Sequence, residues 1–137
     1  MAITVLSGTS GALYYKPAGT SGTFPETGVT VADDEITVQP YLNFKVGDPV
    51  VFSIINSQTG AAGSGTLPAG IAAATTYFVI AYTAATGVME VSATLGGASI
   101  TITDDGTAVS PNEFQVAYAE YAAVGQVQSW SFEISRA

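Results

Sequence analysis

Eleven carboxylates, three basic side chains and not one histidine or cysteine define the chemistry open to this chain. Lacking imidazole and thiol, it has no group that titrates near neutrality to act as the base of a Ser-His-Asp or Cys-His arrangement. Zinc and copper sites of the ordinary kind lose their ligands for the same reason. What remains is oxygen chemistry. Asp33-Asp34-Glu35 and Asp104-Asp105-Gly106 are short acidic stretches, and carboxylate oxygens suit calcium. Asp and Gly at strand ends are equally the ordinary residues of turns, and the turn reading is preferred. A pair of carboxylates can also hydrolyse glycosides when separation and environment are tuned, but nothing distinguishes two of the eleven. Gly60-Ala-Ala-Gly-Ser-Gly65 has the glycines of a phosphate-cradling loop without the Lys-Ser/Thr that completes one. Tyr14, Tyr15, Tyr41 and Trp130 could stack on a sugar ring, although Trp130 sits on an alternating apolar face and reads as core. The residues nominate no catalytic group, no metal ligand and no cofactor, and the expectation is a non-enzyme.

The segments that must hold these residues read as strands, organised around residues 75–105. Residues 77–82 are apolar on both faces, Tyr77, Val79 and Ala81 against Phe78, Ile80 and Tyr82. Such a strand is expected at the centre of a sheet and covered on both sides. Met89, Val91 and Ala93 then alternate with Glu90, Ser92 and Thr94, and Ile100 and Ile102 with Ser99, Thr101 and Thr103. That period of two marks half-buried strands. Upstream, residues 2–6 and 12–16 are strand candidates that pair as a small hairpin, and residues 17–28 have turn and linker composition throughout. Residues 35–39 alternate; residues 49–56 are apolar on both faces and central, launched by a turn at Gly47-Asp48-Pro49. Leu67-Pro-Ala-Gly70 carries the residues of a type II turn.

Downstream, residues 113–118 direct Phe114, Val116 and Tyr118 inward. Residues 126–135 place Trp130, Phe132 and Ile134 on one face, with a bulge near Gln128-Ser129 accounting for Val127. The total is about nine strands and no long helix, which predicts an all-β fold: an antiparallel β-sandwich or small barrel with an extended N-terminal arm. The expected division is a hairpin or arm over residues 1–30 and a β-sandwich domain over 31–137. Residues 17–28 read either as a flexible connector or as part of an extended arm that orders only on a neighbouring subunit, with Tyr14, Tyr15 and Phe24 as its contact residues.

Composition narrows the partners. Charged residues make up 10% of the 137, against about 25% in ordinary domains. A surface built from Thr, Ser, Gly and Ala resists association poorly, so burial against copies of itself or another protein is expected. A net charge of −8 offers no basic footprint for nucleic acid or an anionic membrane. No apolar run reaches transmembrane length, and Met1-Ala-Ile-Thr-Val lacks the basic start of a signal peptide.

Particular stretches go further. Phe44-Lys-Val-Gly-Asp-Pro-Val-Val-Phe, Gly65-Thr-Leu-Pro-Ala-Gly-Ile-Ala-Ala-Ala-Thr-Thr-Tyr-Phe-Val-Ile-Ala and Val91-Ser-Ala-Thr-Leu-Gly-Gly-Ala-Ser-Ile-Thr-Ile-Thr-Asp-Asp-Gly-Thr together resemble a small β-module of tailed-bacteriophage structural proteins. The resemblance spans residues 44–107. Leu6-Ser-Gly-Thr-Ser-Gly-Ala-Leu-Tyr-Tyr and Val124-Gly-Gln-Val-Gln-Ser-Trp-Ser-Phe-Glu-Ile-Ser-Arg resemble opening segments of phage major tail (tube) proteins. In that family the Trp-Ser strand continues into further strands and a helix, whereas this sequence ends at Ala137. A β-domain with a Gly/Thr-rich N-terminal segment resembles instead the decoration or cement proteins of phage heads.

What the resemblance implies is a virion protein made in the bacterial cytoplasm. Its partners would be the major capsid protein or other virion subunits, and its copies would form trimers if it is a cement protein or hexamers if it belongs to a tail tube. A carbohydrate-binding β-module is the lesser alternative.

Overall fold

The computed structural model describes residues 2–5, 20–119 and 132–135. Nine strands lie among them: β1 (Ala2–Val5), β2 (Ser21–Phe24), β3 (Val29–Thr30), β4 (Glu35–Thr37), β5 (Pro49–Asn56), β6 (Tyr77–Thr83), β7 (Val88–Ser92), β8 (Asn112–Tyr118) and β9 (Phe132–Ser135). The chain divides into two units, residues 1–17 with 120–137, and residues 18–119. In the first, β1 pairs antiparallel with β9, Ala2 opposite Ser135 and Val5 opposite Phe132. The hairpin partner expected for β1 at residues 12–16 lies outside the described residues.

The larger unit is an antiparallel sheet in the order β2-β8-β5-β6-β7-β4-β3. Its two end strands, β2 and β3, are consecutive in the chain, separated only by Pro25–Gly28, which includes a 3-10 turn at Glu26–Gly28. Laid flat, six inter-strand steps of about 4.8 Å would set those strands about 29 Å apart. Five Cα steps reach at most about 18 Å even fully extended. The sheet must therefore curl until its ends come near each other. Across the gap, Gln39 Oε1 accepts the Thr23 N–H at 2.9 Å and Gln39 Nε2 donates to Thr23 Oγ1 at 2.8 Å. A side chain thus occupies an outward hydrogen-bonding position of an edge strand, and no backbone ladder closes the ring.

Curling encloses the concave face. Phe24, Phe52, Phe114, Met89, Val50, Val79, Val91, Val116 and Ile36 are all buried there. The aromatic rings meet edge-on or tilted, Phe24 with Phe52 at 6.3 Å, Phe24 with Phe114 at 5.3 Å and Phe52 with Tyr77 at 5.7 Å, the offsets that ring quadrupoles favour. The open side is covered by two loop segments, residues 62–72 and 100–108, which bring Ile71, Ile102 and Ala108 onto the core.

Several expectations are corrected. Residues 17–28 are not a connector throughout: residues 21–24 form β2, which pairs with β8 from Ser21↔Ala117 to Phe24↔Phe114. The short polar run hides a strand whose one large apolar residue reaches the core. The boundary drawn at residue 30 does not match the contacts either, because β2 and β3 belong to the sheet of residues 18–119. β6 is central as expected, between β5 and β7. Yet only its Tyr77/Val79 face is buried; Phe78 and Ile80 are half-buried, and a register shift falls between Val79 and Ala81. Residues 99–103 form no strand, although Ile102 turns inward as the alternation requires.

Candidate functional site

The positions singled out in the sequence scatter. Phe24 is 1% exposed and packs on Phe52 and Phe114, so it is an internal core residue with no surface to give a neighbour. Tyr14, Tyr15 and Trp130 lie outside the described residues. Tyr41, the remaining aromatic considered for sugar stacking, is 78% exposed. Its backbone is in the left-handed region at φ 61°, and its N–H donates to the Ala84 carbonyl at 2.7 Å.

The acidic stretches act on the backbone. Asp34, itself at φ 58°, accepts the Ile102 N–H on Oδ1 at 2.7 Å. Asp104 Oδ1 accepts the Gly106 N–H at 2.8 Å, a turn in which the side chain mimics a backbone acceptor. Glu26, outside both stretches, accepts the Ala108 N–H on Oε1 at 2.5 Å. Asp34 and Glu26 therefore hold the 100–108 segment down over the core, and the Asp34 bond draws the two acidic stretches toward one end of the unit. Among the described residues no three His, Cys, Asp or Glu side chains gather as a metal group. Residues 60–65 fold back on β5, with Gly63 N–H donating to Ile54 O at 2.8 Å and Asn56 N–H to Ala61 O at 2.9 Å. An open groove of ≈ 470 Å³ lies along this segment, lined by Ser53, Ile54, Gly63, Gly65, Thr66, Leu67, Ile71 and Ala73. None of those side chains titrates.

The outward apolar display comes from turns. Lys45-Val46-Gly47-Asp48 is closed by Asp48 N–H to Lys45 O at 3.0 Å, and Asp48 Oδ2 accepts the Lys45 N–H at 2.7 Å. Thr94-Leu95-Gly96-Gly97 is closed by Gly97 N–H to Thr94 O at 3.0 Å. Each has a large apolar residue in second place and a positive-φ glycine in third, Gly47 at 93° and Gly96 at 69°, the place where a type II or related turn requires it. Second place points away from the sheet, so Val46 is 69% and Leu95 68% exposed. The two turns are neighbours, since a β-carbon on Gly47 would lie 3.8 Å from Leu95 Cδ1. A third turn, Thr30-Val31-Ala32-Asp33, closed by Asp33 N–H to Thr30 O at 3.2 Å, displays Val31 at 39% exposure beside the acids.

The sequence announces a turn at Gly47-Asp48-Pro49, close to the one that forms over Lys45–Asp48; that Val46 and Leu95 would present apolar side chains on one patch needed the fold. No helix among the described residues is long and apolar enough to cross a membrane. No family model matches this chain, and no curated protein or solved structure matches it either.

Proposed function

We propose that this chain is a non-enzymatic structural protein of a tailed-bacteriophage virion, a decoration or cement protein that binds the outer capsid shell and ties capsomers together. The observation that carries this reading is where the phage-like block falls. Residues 44–107 comprise β5, β6 and β7, the middle of the sheet, together with the segments 62–72 and 100–107 that cover its core. The three resembling stretches are mostly turns and cover segments with parts of β5, β6 and β7, and backbone bonds join them to one another: Gly47 N–H to Val79 O at 2.8 Å, Thr66 N–H to Thr107 O at 2.8 Å and Ala69 N–H to Asp104 O at 3.1 Å. The exposed turn residues Val46, Leu95 and Val31 supply apolar contacts on an acidic, charge-poor surface, as a protein that works by being wedged among other subunits requires. Linking several weak contacts on a shell raises occupancy through effective concentration.

A tail-tube subunit is the second reading. It draws on the pairing of β1 with β9, which joins the two ends of the chain whose flanking sequences resemble major tail proteins.

The test is reconstitution. Heads lacking the protein are heated with and without the purified chain, and DNA release and co-sedimentation are followed. The proposal expects the chain to sediment with heads and to raise the temperature of DNA release. A chain that stays in the supernatant and leaves release unchanged contradicts it.

A further inference from the structure

The larger unit carries two unlike patches that fit each other. On one, Val46 and Leu95 stand at the apices of adjacent turns and Lys45 flanks them, exposed. Of the chain's three bases, Lys45 is the one that falls within residues 20–119, against nine of the eleven acids. On the other, exposed Val31 lies beside Asp33 and Glu35, and the Asp34–Ile102 bond brings the turn of Asp104 and Asp105 to the same end. Asp33 and Asp105 are exposed. We infer that these patches meet between two copies of the chain: Val46 and Leu95 pack on Val31 of the second copy, and Lys45 lies against Asp33 and Asp105 of that copy.

The choice of a second copy follows from charge. On a surface this acidic, Lys45 beside an apolar knob seeks an acid-rimmed apolar contact, and this unit presents one itself. Each copy presents both patches, at the end of the sheet where β7 runs into the Leu95 turn and the Val31 turn enters β4, so the contact pairs them either reciprocally about a two-fold axis or head-to-tail. The inference deepens the assembly reading and rests on it only in that copies must touch.

A charge exchange tests it on the full-length protein by sedimentation velocity at low salt. Wild type should self-associate. Lys45→Glu alone sets acid against acid, and Asp33→Lys with Asp105→Lys sets base against base, so each variant should lose affinity by about tenfold or more. Mixing the two restores opposite charges at every contact, so the mixture should associate within about threefold of wild type, a factor worth less than 1.4 kcal/mol. Leu95→Asp, at an exposed position, should weaken association while leaving the circular dichroism spectrum unchanged.

A wild type that remains monomeric, variants that associate as wild type does, or a mixture no tighter than its components would each overturn the contact. A monomeric wild type that still binds phage heads would sink this contact and leave the virion reading standing. Self-association with the expected charge exchange, but no binding to heads or tails, would do the reverse.

Discussion

β5 and β8 face each other through seven consecutive residue pairs, from Val50↔Tyr118 to Asn56↔Asn112. The cover on the opposite side of the core is held otherwise. Residues 62–72 and 100–108 meet through two isolated bridges, Thr66↔Thr107 and Ala69↔Asp104, and through the carboxylates of Asp34 and Glu26. Both regions bury apolar side chains on the same core. The wall secures its backbone by repetition, so losing one bond leaves its neighbours in place. The cover relies on a few specific acceptors, each fixing one N–H of a segment with no ladder of its own. A region built that way is expected to open at lower free energy than the wall, and it carries the acidic end of the proposed assembly surface.

The comparison can be broken from the wall side first. Phe114 is fully buried against Phe24, and Phe114→Ala should cost about 3–5 kcal/mol in denaturant unfolding. A loss under about 1 kcal/mol would mean the wall does not dominate stability.

Next comes the close approach within the cover. Gly70 is at φ 109°, and a β-carbon there would stand 2.1 Å from the Thr101 carbonyl oxygen. Gly70→Ala should cost about 2–3 kcal/mol through left-handed strain and displacement of the 100–108 segment. Cover amides such as Thr103 should then exchange faster, while those of β5 and β8 keep their order. Equal loosening of both regions would erase the distinction between them.

Asp34→Ala is smaller and more local. It leaves the Ile102 N–H without its carboxylate, at a cost of about 1.5 kcal/mol, and amide exchange should quicken at Ile102 far more than at Phe52 or Val116. Unchanged protection at Ile102 would show that the carboxylate does not hold the segment.

Smallest is Gln39→Ala, which removes the two hydrogen bonds to Thr23 across the sheet gap. The residue is exposed, so a loss of about 0.5–1 kcal/mol is expected from thermal unfolding. It should be accompanied by faster exchange at Thr23.

The same contrast explains what could be read from the residues alone. The wall was legible because Glu113–Tyr118 alternates with the period of a strand, while Pro49–Asn56 is a short apolar run rich in Val and Ile that a turn launches. β2 is not legible because four residues, Ser-Gly-Thr-Phe, carry no period; Gly22 sits close under the side chains of Leu42, Gln39 and Val38. Phe24, an exposed anchor by its polar surroundings, is core because β2 lies beside β8. The cover was half legible. Ile102 faces inward as its alternation says, but its anchor is Asp34, 68 residues away, and no local pattern announces that bond. The turn at residues 67–70 sits one place later than its composition suggests, closed by Ile71 N–H to Pro68 O at 3.0 Å with Gly70 in third position.

The most direct measurement for the central claim, that this β-unit exists to be built into a phage particle, is immunogold electron microscopy of intact virions with antibody raised against residues 20–119. The account predicts gold over the icosahedral heads in a repeating pattern. Gold confined to tails would transfer the role to the tail tube, and particles bare of gold beside a labelled soluble fraction would contradict the claim outright.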